Sequence, residues 1–315
     1  MALLITRADI EAAARRLAPH VLRTPLRRSE WLSSIAGAPV ALKLETLQET
    51  FSYKLRGALN TVLRLMEEAG RPAALVTASA GNHGRGLARA ASSVGLPLTV
   101  YVPADAPQVK LAAMRALGAR LIPCRDYDEA ERRAKEHTEP GTLYVSPYSH
   151  PYVIEGAGTV AIEILEQDPQ IEVIVCSVGG GGLVSGTAIA AGKRAETWGV
   201  ETEASCPFTR SLAAGHIVAI DVQPSIADGL VGNLDPQTIT FDLVRQHVTG
   251  IATVPEKDVA PAVGELAGQE RVIAEGAAAV AVAAIVSGRV PLAGRRTAVV
   301  LSGANIDRDK LRQLI

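Results

Sequence analysis

Lys54 lies in the run Glu49-Thr50-Phe51-Ser52-Tyr53-Lys54-Leu55-Arg56-Gly57-Ala58, in a chain with seven lysines against twenty-five arginines. Apolar flanks (Phe51, Tyr53, Leu55) strip water from an ammonium. Desolvation lowers a lysine's pKa toward the neutral amine that attacks an aldehyde. Arginine stays protonated and cannot take that part. Taken alone, Lys54 also reads as an ordinary solvated lysine near a helix N-terminus.

Three further motifs each end an apolar run. Ser79-Ala80-Gly81-Asn82-His83-Gly84 follows LVTA and opens a helix. Free N–H groups at a helix start, with Ser79 and Asn82 as added donors, suit a carboxylate. Plain helix caps and a glycine turn are the other reading. Val178-Gly179-Gly180-Gly181-Gly182-Leu183 joins the strand-like EVIVCSV to an apolar helix. Consecutive glycines are entropically costly and make sense where backbone must approach a ligand closely; a phosphate at the next helix N-terminus meets both conditions. The run is neither a Walker A loop nor a GxGxxG fingerprint. Val299-Val300-Leu301-Ser302-Gly303-Ala304-Asn305 ends an apolar strand in Ser-Gly, at the end of the sheet where ligands of open parallel sheets gather. There the Ser302 hydroxyl either bonds a ring nitrogen or simply belongs to a strand-terminating turn.

The elements that must position these motifs alternate. Apolar runs predict strands over 74–78, 98–102, 120–123, 172–178 and 297–301. Amphipathic stretches predict helices over 7–17, 55–68, 84–94, 110–117, 127–137, 154–166, 183–193 and 258–266. Such alternation argues for an α/β protein with parallel sheets covered on both faces. At 315 residues, two domains or one large unit are expected, and Gly141 and Pro151 bracket a plausible crossing point. Hydrophobic residues form 48% and aromatics only 3%, enough for a layered core but no aromatic binding platform.

The net charge of −1 lacks the basic excess of a nucleic-acid surface, so no nucleic-acid partner is expected. Cys124, Cys176 and Cys206 form no CxxC pair, which argues against disulfides or zinc and for a reduced, cytoplasmic protein. The N-terminus lacks the long apolar region of a signal peptide, and the apolar stretch 277–286 is too short to span a bilayer, so no membrane partner is expected. Gly156-Ala157-Gly158-Thr159-Val160-Ala161 loosely matches a dinucleotide pattern without a preceding strand; its glycines suit close helix packing better. His20, His137, His150, His216 and His247 show no metal-ligand spacing.

Together the four motifs resemble the β-family (fold type II) of pyridoxal-phosphate enzymes, most closely its threonine/serine dehydratase and serine racemase group. The similarity runs from about residue 10 to residue 307. It implies two open, mainly parallel-sheet domains with helices on both faces, as in the tryptophan-synthase β subunit. Residues 1–65 and 149–315 would form the large cofactor-binding domain, and 66–148 a small domain for the substrate carboxylate. Ser52-Tyr53-Lys54-Leu55-Arg56-Gly57-Ala58 matches the family's lysine motif, making Lys54 the Schiff-base lysine with Tyr53 beside it. Ser79, Ala80, Gly81, Asn82 and His83 match the substrate-carboxylate loop, with Asn82 also near the cofactor's phenolic oxygen. Gly179, Gly180, Gly181 and Gly182, with Leu183, match the phosphate loop. Ser302 stands against the pyridine nitrogen, and Glu275-Gly276-Ala277 resembles the stretch beside the ring. A neutral hydroxyl at that nitrogen favours prompt expulsion of a β-substituent, while the reactivity itself belongs to the cofactor.

The implied activity is a dehydratase, or ammonia-lyase, acting on a small β-hydroxy amino acid such as threonine or serine. Lys54 would remove the Cα proton as general base, yielding a 2-oxo acid and ammonia. The resemblance also implies a homodimer. Departures from the family pattern refine the expectation. Ala80 replaces the serine that racemases use as acid/base opposite the lysine, and a methyl group transfers no proton. Glu201 and Ser205 match two positions of the family's divalent-metal site, but Pro207 stands where an aspartate is expected, which argues for weak or absent magnesium dependence. Phe51 replaces a usual glycine and Tyr148 a small polar residue; both either reshape the substrate pocket, for instance toward phenylserine, or are mere packing. Nothing follows Ile315, where feedback-controlled members carry a regulatory domain, so a catabolic or specialised enzyme is expected. The same chemistry on 3-hydroxyaspartate, racemisation, β-replacement of the cysteine-synthase kind, and a non-catalytic amino-acid-binding protein are the alternatives.

Overall fold

The computed structural model describes residues 5–68 and 70–315. The first part of the chain forms α1 (Arg7–Leu17), β1 (Leu26–Ser29), α2 (Glu30–Ala36), β2 (Val40–Leu44) and α3 (Lys54–Glu68). A second part alternates β3 (Ala74–Ala78), α4 (Asn82–Ser93), β4 (Leu98–Pro103), α5 (Gln108–Ala116), β5 (Arg120–Cys124), α6 (Tyr127–Lys135) and β6 (Thr142–Tyr144). The third begins with α7 (Pro151–Gln167), β7 (Val173–Ser177), α8 (Gly182–Ala191), β8 (Glu196–Thr202) and α9 (Pro207–Ala214). It ends with α10 (Thr240–His247), β9 (Gly250–Val254), α11 (Glu256–Glu270), α12 (Gly276–Val286), β10 (Thr297–Leu301) and α13 (Arg308–Leu314).

Every strand and helix expected from the sequence is present, with ends shifted by a few residues. The strands pair in two sheets, ordered β1-β2-β10-β7-β8-β9 and β5-β4-β3-β6. All pairings are parallel except β1 with β2. Helices flank both sheets, so the mainly parallel α/β architecture holds. Within this frame β2, β10, β7 and β3 each lead at their carboxyl ends into one of the four motifs.

Two devices hold the motif-bearing helices in place. The first is backbone-to-backbone packing on α7. A Cβ on Gly156 would lie 2.5 Å from the Arg56 carbonyl oxygen, and one on Gly158 would lie 2.7 Å from that of Gly186. Those positions admit only glycine, and they seat α3 and α8 directly on the same helix. The glycines of that stretch thus serve helix packing.

The second device is a buried ionic cluster. Arg56, fully buried, donates to both carboxylate oxygens of Glu45 at 2.8 Å and to Glu163 at 2.7 and 2.9 Å. Lys43, also fully buried, donates to Glu163 at 2.6 Å, to Gln167 at 2.9 Å and to the Thr24 carbonyl at 2.7 Å. Burial pushes the Glu45 carboxyl up, but the charge and hydrogen bonds of Arg56, aided by Thr24, bring it below its ordinary range. For Lys43 burial wins over Glu163, and its ammonium is weakened. Two cations and two carboxylates pin the first turn of α3 to β2 and α7.

Candidate active site

The residues preceding α3 are clamped to the end of β10. Ser52 bridges to Gly303, and the Tyr53 N–H donates to the Ser302 carbonyl at 3.1 Å. This places Lys54, the first residue of α3, across from Ser302. The Lys54 Nζ donates to the Pro147 carbonyl at 2.7 Å and stands 5.3 Å from the Tyr53 ring centroid. Burial holds this amine down at about 8, against the opposing pull of Glu275. Tyr53, Pro147, Val153 and Leu183 line the space around the amine. Phe51 takes no part. It is 47% exposed, sits at φ 56°, lies beneath the Arg85 guanidinium, and does not line the cavity. Of the two readings open for Phe51, the structure favours packing: it is a surface residue in a left-handed turn.

A cavity of about 600 Å3 opens beside Lys54. Its wall contains Tyr53, Lys54, Ser79, Ala80, Gly81, Asn82, His83, Gly179, Gly180, Gly181, Gly182, Leu183, Glu275 and Ser302, the residues that the sequence assigns to cofactor and substrate. Ser79 closes β3, Gly81 precedes the first turn of α4, and the Gly81 N–H donates to the Ser79 hydroxyl at 3.3 Å. Asn82 is held rigidly: its amide donates to Glu275 Oε1 at 2.6 Å, and its oxygen accepts from Asn305 at 2.6 Å. Burial lifts the Glu275 carboxyl to about 7, and Asp228 adds to the lift while the Asn82 bond opposes it. His83 is buried, with Nε2 3.3 Å from the Val145 carbonyl and Nδ1 without a partner among the described residues. Burial, reinforced by Lys54, keeps its imidazole neutral down to about pH 3.

At the opposite wall the glycine loop leads into α8. The N–H groups of Gly179, Gly180 and Gly181 donate to no described residue. With the unbonded N–H groups of the first turn of α8 they form an anion-binding concavity. Gly181 adopts φ 85°, and a Cβ on Gly180 would fall 2.2 Å from the Tyr148 ring. The loop must therefore be glycine to clear its own neighbours as well as a ligand. A nucleophilic amine, a cup of free N–H groups and the buried Ser302 hydroxyl match an aldehyde, a phosphate and a ring nitrogen respectively, so the residues present fit pyridoxal phosphate.

Tyr127, Glu131, Tyr148, Lys110 and Asp228 also line the cavity. Of these only Tyr148 was singled out from the sequence; the others lie in no motif and become neighbours only through the fold. Glu201, matched to a metal position, is buried beneath the start of α9. It accepts from the Phe208 and Thr209 N–H groups at 2.8 Å and from the Thr209 hydroxyl at 2.7 Å. Its carboxylate caps a helix. Among the described residues no group of three His, Cys, Asp or Glu is arranged to hold a metal ion. Cys124, Cys176 and Cys206 are free and buried, and among the described residues no helix is long and apolar enough to cross a membrane.

Comparison with known proteins agrees with this geometry. The family model described as "Pyridoxal-phosphate dependent enzyme" matches residues 17–303. An L-threonine ammonia-lyase of Thermotoga maritima is 39% identical, over 99% of this chain and 78% of that protein. A beta-hydroxyaspartate dehydratase of Paracoccus denitrificans is 36% identical, over 97% of this chain and 98% of its own. Among solved structures, maize serine racemase superposes with a TM-score of 0.91 at 30% identity, covering 98% of this chain and 96% of that one.

Proposed function

Given that the chain belongs to the pyridoxal-phosphate-dependent enzyme family, we propose that it works as an ammonia-lyase, dehydrating a β-hydroxy amino acid such as threonine or serine to a 2-oxo acid and ammonia. One observation carries this reading: a single cavity joins the Lys54 amine to the α4 N-terminus on one side and the glycine loop on the other. When bound, the cofactor supplies the electron sink for charge developing at the substrate Cα.

The chain's own groups supply the rest. Lys54, with its pKa held near 8, offers a free-base fraction at neutral pH both to attack the cofactor aldehyde and to take the Cα proton. Ser79, Gly81, Asn82 and His83 orient the substrate carboxylate at the start of α4, with Ala80 beside them. Gly179 to Gly182, with Leu183, cradle the phosphate, while Tyr53, Glu275 and Ser302 border the ring. Ala80 presents a methyl group where a second proton carrier would be needed, so elimination is favoured over racemisation. In this reading 66–148 carries the carboxylate loop as a smaller unit, and 1–65 with 149–315 hold the cofactor. Magnesium dependence is weak or absent in this reading: Pro207 stands where the family's metal site has an aspartate, and Glu201 is engaged in capping α9. A cytoplasmic homodimer is the proposed setting; three buried free cysteines favour a reducing compartment.

The test is release of ammonia and 2-oxo acid from serine, threonine, threo-phenylserine and 3-hydroxyaspartate. Turnover of at least one is expected and is lost in Lys54→Ala. No turnover of any overturns the reading.

A further inference from the structure

The part of the cavity beyond Lys54 carries more carboxylates than cations. From Lys54 the wall passes through Pro147, whose carbonyl takes the Nζ hydrogen bond, to Tyr148. Tyr127 and Glu131 of α6 continue it, and Asp105 and Asp228 stand further round. Two lysines lie close enough to matter, and both are already paired. Lys110, the only lysine besides Lys54 on the described cavity wall, donates to Asp228 at 2.8 Å. Lys135, behind the wall, bridges Asp235 at 2.6 Å and Glu131 at 3.1 Å. No arginine lines the cavity among the described residues. The wall's histidine, His83, is buried and neutral, and so offers no charge.

We infer that this site excludes a second carboxylate on its substrate: the amino acid it dehydrates carries an uncharged or cationic side chain beyond the β-carbon. The inference rests on the ammonia-lyase reading and narrows its substrate class. A γ-carboxylate placed here would face Glu131, which shares the single Lys135 with Asp235, and Asp105 beyond it, while Lys110 is matched by Asp228 and the only other cation on the described wall is the catalytic Lys54. Like charges brought together in a partly desolvated site are strongly unfavourable. A methyl, a hydrogen or a hydrogen-bond donor meets no such penalty, and the Tyr127 and Tyr148 hydroxyls with Glu131 supply acceptors for a donor. The dehydratase of Paracoccus denitrificans is named for a dicarboxylic substrate, so shared family does not fix this choice; the charge of the wall does.

The experiment compares kcat/KM of the holoenzyme for L-threonine and L-threo-3-hydroxyaspartate. In parallel, calorimetry measures the affinities of the unreactive analogues L-2-aminobutyrate and L-aspartate. Threonine is expected to exceed hydroxyaspartate by about 100-fold or more, and aminobutyrate to bind at least about tenfold tighter than aspartate. Glu131→Gln, and separately Asp228→Asn, which releases Lys110, should each shift both ratios toward the dicarboxylate by about tenfold. Equal or better handling of hydroxyaspartate and aspartate overturns the inference while leaving the lyase reading intact. No turnover of either, with serine and threo-phenylserine inert as well, overturns the lyase reading, and the binding ratio then still decides the charge of the wall.

Discussion

Arg56 is the residue whose removal should be felt most strongly away from the chemistry. It is fully buried, and its guanidinium supplies four hydrogen bonds of 2.7–2.9 Å to Glu45 and Glu163. Arg56→Met keeps much of the volume but leaves Glu45, itself fully buried, with only the Thr24 hydroxyl at 2.6 Å as a close donor. Breaking a buried pair from one side destabilises by about 3–5 kcal/mol, because the abandoned charge is left uncompensated. Urea unfolding followed by far-UV circular dichroism should register that loss. The double variant Arg56→Met/Glu45→Leu should recover most of it, since an apolar pair of similar volume is often neutral or stabilising. A single-variant loss below about 1 kcal/mol, or a double variant no better than the single, would refute the picture of a balanced buried cluster. Because Arg56 lies in the first turn of α3, two residues after Lys54, the single variant should also raise the Lys54 pKa as water reaches that turn.

Three further outcomes follow from the geometry. The Glu275 carboxyl is raised to about 7 from an ordinary 4.5, so between those values the folded state holds a proton that the unfolded state has lost. Stability attributable to it therefore falls as pH rises through that window; the Tm of Glu275→Gln relative to the parent should climb from pH 4.5 to 7, and a flat difference would count against the shift. Phe51 occupies the left-handed region, so Phe51→Gly should be at least as stable as the parent while the β-branched Phe51→Val loses about 1–2 kcal/mol in the same denaturation assay. Gly180→Ala drives a methyl into the Tyr148 ring and should weaken cofactor binding by about tenfold or more in equilibrium dialysis, with partial rescue by Tyr148→Ser.

The cavity's motif residues were legible as a set. Four glycines between two apolar elements leave few structural alternatives, whereas Lys54, the Ser79–His83 loop and the Ser-Gly after Val299-Val300-Leu301 each have an ordinary structural reading until the other motifs stand beside them. Several elements were hidden for the opposite reason. In β2 the fully buried Lys43 interrupts an otherwise apolar run, and only its ion partners from α7 make it tolerable there. In β8, Gly199 and Glu201 break the pattern; a Cβ on Gly199 would crowd the Ile251 and Val178 side chains packed over it. Apart from its last residue, Val286, α12 is buried all round and so has no polar face whose period could reveal it. A phenylalanine in place of the family's usual glycine leaves pocket wall and packing both open for Phe51 in the sequence; a left-handed backbone and an exposed ring beneath Arg85 decide for packing. The acidic wall escaped notice because α6 and the segment around Asp228 are joined only by tertiary packing.

The glycine contacts on α7 have a bearing on how such a site can change over time. The helix that begins with Lys54 and the one that begins at the glycine loop never need to touch; each is gauged against the same third helix by bare peptide groups. At those two points of contact the nearest atoms are backbone, so replacing a side chain there cannot lengthen or shorten the span by small steps. The reach from amine to phosphate cup is therefore a quantity that drift can abolish but cannot tune. Tyr127, Glu131 and Tyr148 stand outside that gauge. Selection, or a protein engineer, can rewrite which amino acid is accepted there while the distance on which the chemistry depends stays locked.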